Sequence, residues 1–254
     1  MLGFYAGIQT FIHSIKRHSC FLKPHQKKIG HTEQGNAFFI VMISVVLFGA
    51  LMFTFSRGAR QGSSSLSDKQ AEIAALDIIS YAQKVERGVQ RTYGHGISET
   101  DISFDNAFVS GNENANCTND RCKVFAPEGG AISYKKLESS WSSSSGNWIF
   151  TGQNQVLGIG RDCTADSSCV ELLMMIEDVP LPLCMALNEK LGVTSGGIAP
   201  PQDANIDTTL FQGSFSYAAT ADLGDEDASL NGIRSACFLE TGNVYYFYYT
   251  LLER

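Results

Sequence analysis

Histidine is scarce in this sequence, and its distribution excludes several classes of catalytic site. Four of the five histidines fall within residues 1–35, and His95 is the only one beyond them. A metal site built from several imidazoles therefore cannot form in the rest of one chain. Nucleophile elbows of G-x-S-x-G form and phosphate-binding motifs of GxxxxGK[ST] or GxGxxG form are also absent. These absences exclude the common hydrolase and nucleotide-binding signatures.

His95 itself lies between Gly94 and Gly96 in the segment YGHGIS. Flanking glycines are typical of a helix exit, whereas a catalytic base must be held rigidly by a third group. We interpret His95 as a surface histidine, and we predict that the protein is not an enzyme and binds no cofactor.

Charged side chains are absent from residues 36–56 (NAFFIVMISVVLFGALMFTFS). At about 1.5 Å per residue this run makes a helix of about 31 Å, close to the thickness of a bilayer core, and it predicts a transmembrane helix. A cleaved secretory signal is the alternative. The apolar core of a secretory signal is usually about 7–15 residues long, which is shorter than this run. The sequence SRGARQG, which begins at the end of the run, is also a poor cleavage site.

Charge asymmetry predicts the orientation of this helix. Residues 1–35 carry a net charge of +4 and the part after residue 56 carries −11, within a total of −7. The positive-inside rule keeps the basic leader in the cytoplasm and exports the acidic part. We therefore predict four segments, a leader (1–35), a transmembrane helix (36–56), an amphipathic helix (57–96) and an exported α+β domain (97–254). The net negative charge of the exported part argues against nucleic-acid binding.

Cysteine usage agrees with export. Cys20 lies in the leader, and the other six follow the apolar run: Cys117, Cys122, Cys163, Cys169, Cys184 and Cys237. An even number suits an oxidising compartment, although six reduced thiols are the alternative. The closely spaced couples Cys117 with Cys122 and Cys163 with Cys169 predict two local loops, which leaves Cys184 to pair with Cys237.

The segment that follows the apolar run predicts one long amphipathic helix that ends near Gly94. Ser67 and Gln70 have the spacing of a capping box. Apolar residues then recur every three or four positions: Ala71, Ala75, Ile78, Ala82, Val85 and Val89. We interpret this stripe as the face that is buried on its own domain, with an intermolecular seam as the alternative.

From residue 97 the apolar period changes to two, which predicts strands. The candidates are residues 97–110, CKVFA from Cys122, AISYKKL from Ala131, NWIFTG from Asn147, QVLGIG from Gln155 and CVELLMMIED from Cys169. Residues 180–192 read as a short helix with prolines at its entrance and a glycine at its end. The C-terminal sequence SACFLE–TGN–VYYFYYTLLE predicts a hairpin whose aromatic residues serve the core.

These features together resemble a type IV pilin or pseudopilin of the long-leader IVb branch. The resemblance is carried by Gly35 at the end of the leader, the helix over 36–93, the segment 179–187 (VPLPLCMAL) and the pair Cys184 and Cys237. It implies an α+β, pilin-like fold, in which an N-terminal transmembrane helix continues into a long amphipathic helix packed on a disulfide-braced antiparallel β-sheet. It also implies cleavage by a prepilin peptidase between Gly35 and Asn36.

Two positions depart from the family pattern. Pilins usually begin with Phe or Met after cleavage and carry glutamate at the fifth mature position, whereas this chain has Asn36 and Ile40. Family members at a filament tip also lack that glutamate. The departure therefore indicates a minor, tip-located subunit or a pilin-like membrane protein that is never processed.

An acidic loop, ADLGDEDAS, is the one candidate for metal binding. Four acidic residues crowd this loop: Asp222, Asp225, Glu226 and Asp227. Calcium prefers such clustered oxygens, and the candidate ligands are Asp222, Asp225 and Asp227. Some pseudopilins hold calcium in a late loop, although the spacing here fits no EF-hand. We favour a solvated acidic turn, with calcium as the alternative.

The functional expectation is a structural, minor subunit of a type IV pilus or type II secretion-like pseudopilus. Its expected partners are other pilin-like subunits through the N-terminal helix, the inner membrane and the prepilin peptidase. The expected location is the bacterial inner membrane, with the N-terminus cytoplasmic and the C-terminal domain periplasmic or extracellular. The alternative is a permanently anchored envelope protein whose exported domain binds a ligand or a surface.

Overall fold

The computed structural model describes residues 36–143, 146–161, 167–193, 199–217 and 221–254. Within the first helix it describes the side chains of residues 38–50, 52 and 68–94. The chain divides into two compact units, Met1–Ser56 and Arg57–Arg254.

The long helix α1 spans Asn36–Gly94. Five of the six residues of its apolar stripe are fully buried and pack into a core with side chains of the sheet, and Ala71 is partly buried against the same core. The predicted buried face is therefore confirmed, and its fully buried members are Ala75, Ile78, Ala82, Val85 and Val89. Gly88 permits a close approach on this face. A Cβ atom there would stand 2.7 Å from Cγ1 of Ile132 and 3.1 Å from Cγ1 of Val124.

The second unit contains one mixed sheet in the order β3-β5-β6-β2-β1-β4. Its strands are β1 (Ile149–Val156), β2 (Glu171–Ile176), β3 (Gln202–Asp203), β4 (Asp222–Leu223), β5 (Ser235–Glu240) and β6 (Val244–Leu252). The four longer strands pair antiparallel, and the two-residue strands β3 and β4 pair parallel with β5 and β1. The predicted C-terminal hairpin is therefore confirmed as β5 and β6.

Both faces of the sheet are buried, because two apolar cores cover it. On β2, Leu172 and Met174 belong to the core that contains α1, whereas Leu173 and Met175 belong to a second core on the other face. A strand that is buried on both faces needs a continuous apolar run, which residues 172–176 (LLMMI) supply.

The second helix, α2, spans Leu181–Leu191 and confirms the helix predicted for residues 180–192. Pro180 is its N-cap residue, and Pro182 lies in its first turn, where a missing N–H costs little because that N–H would have no partner within the helix. Gly192 ends it in the left-handed conformation, with φ at 72°, and its N–H donates to the carbonyls of Asn188 and Glu189. The helix belongs to the same core as α1 through Leu183, Cys184 and Leu187.

Three of the candidate strands are wrong. The described residues between α1 and β1 contain two short 3-10 helices, Glu99–Asp101 and Asp120–Cys122, and one isolated bridge between Ser103 and Lys123. Side chains occupy the main-chain acceptors that a strand would use, since Nδ2 of Asn114 donates to the carbonyls of Thr100 and Ile102, each at 2.8 Å. The candidates at 97–110, from Cys122 and from Ala131 are therefore loops.

The predicted fold class is also wrong, since the structure is not a pilin-like helix on an antiparallel sheet. Two edge strands run parallel to their neighbours and make the sheet mixed. Long loops lead to both edge strands, and main-chain hydrogen bonds hold these strands at the edges of the sheet. Gln155 N donates to the carbonyl of Ala221 at 2.9 Å, and Leu239 N donates to that of Pro201 at 2.8 Å.

Within the described part of the chain, no helix has the length and apolarity that a membrane crossing requires. The transmembrane helix of the predicted fold, at residues 36–56, is therefore not found.

Candidate functional site

The first part of α1 presents an apolar surface to solvent. Every described side chain between residues 38 and 52 is exposed, and Phe38 reaches 72%. The large members are Phe38, Phe39, Ile40, Val41, Met42, Ile43, Val45, Val46, Leu47, Phe48 and Met52. We call the described side chains of residues 38–50 and 52 the N-terminal apolar surface. Exposed apolar surfaces of this kind occur in proteins at sites that contact other proteins or membranes.

Little polar chemistry interrupts this surface. The hydroxyl of Ser44 donates to the carbonyl of Ile40 at 2.8 Å, so it is satisfied within the helix. Ile40 stands exposed at the position where the pilin pattern has glutamate. Of the predicted cleavage site, Asn36 is the first residue of α1, and Gly35 lies outside the described residues.

Two of the predicted disulfides are confirmed. Cys117 is bonded to Cys122, with Cα atoms 5.6 Å apart, and Cys184 is bonded to Cys237, with Cα atoms 5.3 Å apart. The second bond ties α2 to β5 across 53 residues of sequence. Cys169 is buried and disulfide-bonded, and Cys163 lies outside the described residues. The bonds brace the second unit in a way that suits an oxidising compartment.

An acidic cluster forms between β3 and the loop after β4. Carboxylate oxygens of Asp203, Asp225 and Glu226 lie within 4.8 Å of one another, a spacing at which hard cations such as Ca²⁺ are held. Asp203 is buried, and the other two are exposed. The oxygens of Asp203 accept from the N–H groups of Gly224 at 2.7 Å and Ala204 at 2.9 Å.

Burial and hydrogen bonding raise the pKa values of two carboxyl groups in this cluster. Burial raises the pKa of Asp203 to about 6, although the N–H donors of Gly224 and Ala204 favour its charged form. The hydrogen bond with Asp225, followed by partial desolvation, raises the pKa of Glu226 to about 7. Near neutral pH the cluster therefore holds a proton that isolated carboxylates would have released.

Of the three predicted calcium ligands, only Asp225 belongs to this cluster. Asp222 accepts a hydrogen bond from the hydroxyl of Tyr217 at 2.9 Å, and burial raises its pKa. Asp227 accepts from the N–H of Ser229 at 2.9 Å, which lowers its pKa. The sequence interpretation missed Asp203, because it lies on a two-residue strand far from the loop in sequence.

His95 follows directly after α1, and its main-chain N–H donates to the carbonyls of Arg91 and Thr92. Its Nδ1 is shielded from solvent and has no hydrogen-bond partner among the residues that the structure describes. A catalytic base needs a group that orients it, so this geometry offers no support for a triad.

The aromatic run of β6 serves the two cores, as predicted. Phe247 and Tyr249 pack with α1 on one face, whereas Tyr246 and Tyr248 pack in the second core. The hydroxyl of Tyr248 donates to the carbonyl of Ile233 at 2.7 Å, and that of Tyr249 donates to Oε2 of Glu86 at 2.6 Å. These tyrosines therefore hold loops and helix onto the sheet.

No family model, no curated protein and no solved structure matches this chain.

Proposed function

We propose that the protein is an exported structural subunit, in a minor position, of a type IV pilus or a type II secretion-like pseudopilus. In this proposal, residues 1–35 are removed by a prepilin peptidase. The N-terminal apolar surface then packs against equivalent segments of neighbouring subunits. The second unit, Arg57–Arg254, is displayed outside the cytoplasm.

The observation that carries this proposal is the exposure of the N-terminal apolar surface. Fully burying one Val, Leu, Ile, Phe or Met side chain favours association by about 1.5–3 kcal/mol. The exposed large apolar side chains among residues 38–48 and at Met52 leave much of that free energy unused in the single chain. Packing of many copies side by side is one way to gain it.

The chemistry of this surface supports a minor position. Ile40 stands where a main subunit would carry the glutamate that pairs with the amino terminus of a neighbour. A buried carboxylate needs a partner, and in a main subunit that partner is the neighbour's amino terminus. A subunit without this acid needs no such partner, so it can occupy a position where that neighbour is missing. The disulfides of the second unit support export, because such bonds persist in oxidising compartments.

The mature N-terminus tests the proposal. Full-length protein should be isolated from cells with and without an active prepilin peptidase, and its N-terminus determined by mass spectrometry. We expect a chain that begins at Asn36 only where the peptidase is active, and a Gly35→Arg variant should stay uncleaved. An intact Met1 in the presence of the peptidase would overturn the proposal and favour a permanently anchored envelope protein. Inner-membrane location before assembly stays a prediction, which fractionation of the same cells tests.

A further inference from the structure

A surface groove lies between α1 and α2 in the second unit. It consists of two adjoining hollows of about 460 and 950 Å³, whose linings share Ala71 and Pro182. The smaller hollow is closed on one side by the buried ring of Trp141, and the larger extends to Val193 and Pro200. We call both hollows together the α1/α2 groove.

Both helices present apolar side chains to solvent at this groove. On α1, Ile73 lines the groove and is 63% exposed. On α2, Leu181 is exposed and Met185, four residues on, is 37% exposed. Side chains at these spacings form ridges along a helix, and the groove between two adjacent helices can accommodate a third helix.

Two ion pairs lie at the edges of the groove. Nζ of Lys190 lies 3.1 Å from Oε1 of Glu72, which fixes α2 beside α1. Nζ of Lys135 lies 3.3 Å from Oε1 of Glu138 and 4.3 Å from the centre of the Trp141 ring. The apolar floor is therefore formed before any partner arrives.

Acidic side chains exceed basic ones around the groove. Its lining includes five acidic residues and one basic residue: Asp68, Glu72, Asp77, Glu138, Glu189 and Lys69. Even when the ion-paired Lys135 and Lys190 are included, acids are in the majority. Asp68 and Glu189 form no ion pair with any described residue. A second copy docked through the same face would bring two acidic rims together, which disfavours self-association here.

We propose that the α1/α2 groove binds a basic amphipathic helix of a partner protein. The apolar stripe of that helix covers Ile73, Leu181 and Met185, and its Lys or Arg residues meet the acidic rim. Helix-in-groove binding of this kind uses apolar anchors for affinity and charges for orientation and association rate. This inference uses only the unit Arg57–Arg254, and it stands independently of filament assembly.

Binding of a designed peptide tests this proposal. The probe is a fluorescent helical peptide of Leu, Ala and Lys with one apolar stripe, and its matched control carries Glu in place of every Lys. Full-length protein is titrated at one fixed concentration of non-ionic detergent, so that binding of peptide to detergent contributes equally for all variants. The groove variant combines Ile73→Ser with Met185→Ser, and the rim variant combines Asp68→Asn with Glu189→Gln. Tyr93→Ser is the control variant, because Tyr93 is also exposed on α1 but lies outside the groove.

We expect the Lys peptide to bind at least about tenfold more tightly than the Glu peptide, with an affinity that falls as salt is added. The groove variant should weaken binding by about tenfold or more, the rim variant by about threefold, and Tyr93→Ser should leave it unchanged. Equal binding of both peptides would overturn the proposal, as would unchanged binding by the groove variant. A groove variant that altered only self-association or only adsorption to phospholipid vesicles would also overturn it, in favour of a second copy or a membrane.

Discussion

The side-chain amide of Asn188 forms two hydrogen bonds with the main chain of Cys237. Its Nδ2 donates to the carbonyl of Cys237 at 2.7 Å, and its Oδ1 accepts from the N–H of Cys237 at 2.8 Å. Both bonds are buried, one turn of α2 beyond the Cys184–Cys237 disulfide. The helix and the strand β5 are therefore joined by a covalent bond and by a paired polar contact at the same place.

Replacing Asn188 by Leu tests the polar half of this junction. The change leaves a buried N–H and a buried carbonyl of Cys237 without partners, and we expect it to lower the free energy of unfolding by about 2–4 kcal/mol. Urea denaturation can be followed by tryptophan fluorescence, because both tryptophans, Trp141 and Trp148, lie in the second unit. A loss below about 0.5 kcal/mol would show that the contact is dispensable.

The two described disulfides should differ in their contribution to stability. Cys184 and Cys237 are 53 residues apart, whereas Cys117 and Cys122 are five apart. From loop-closure entropy we expect removal of the longer link to cost about 4 kcal/mol and removal of the shorter link about 2 kcal/mol. The measurement compares Cys184→Ala/Cys237→Ala with Cys117→Ala/Cys122→Ala in the same urea experiment. Equal losses, or the reverse order, would contradict this expectation.

The acidic cluster predicts a pH dependence of stability. The pKa of Asp203 is raised to about 6 and that of Glu226 to about 7, so the folded chain holds protons that the unfolded chain has released. Their contribution to stability is complete below the unfolded pKa values near 4, and it is lost as the pH rises through 6 to 7. We therefore expect Glu226→Gln to gain stability relative to the wild type between pH 5 and pH 8.

Thermal unfolding at several pH values measures this effect. Glu128→Gln is the matched control, since Glu128 is exposed and lies outside the cluster. Its difference from the wild type should stay constant with pH. A Glu226→Gln difference that is also constant would show that the cluster does not retain a proton in the folded state.

Local sequence patterns correctly predicted the elements whose buried apolar residues recur with the period of a helix or a strand. The stripe of α1 through Ile78 and Val85, the helix α2 and the hairpin β5–β6 were all visible in the sequence, because each carries its signal within one segment. Breakers at the ends, such as Pro180 and Gly192, fixed the bounds of α2. The Cys117–Cys122 disulfide followed from close spacing, and the Cys184–Cys237 disulfide followed because these two cysteines were left after the close couples had been assigned.

Elements that depend on distant contacts could not be predicted from local patterns. Strands β3 and β4 are two residues long, which is too short for any periodic signal, and their parallel pairing changes the class of the sheet. Asp203 joins the acidic cluster through a contact between residues distant in sequence, since its Oδ2 accepts from the N–H of Gly224 at 2.7 Å. In the opposite sense, residues 97–110 have a strand-like pattern, but hydrogen bonds from Asn114 hold them in a loop.

The most direct test of the proposed function is a cross-link through the N-terminal apolar surface. Val46 is 67% exposed on this surface, so Val46→Cys in a Cys20→Ser background places one new thiol where neighbouring subunits should meet. Lys84→Cys, on the exposed polar side of α1 in the second unit, is the matched control. After mild oxidation of cells that assemble the filament, we predict a covalent dimer for Val46→Cys and none for Lys84→Cys. Absence of the Val46→Cys dimer, or equal amounts from both variants, would contradict packing of subunits through this surface.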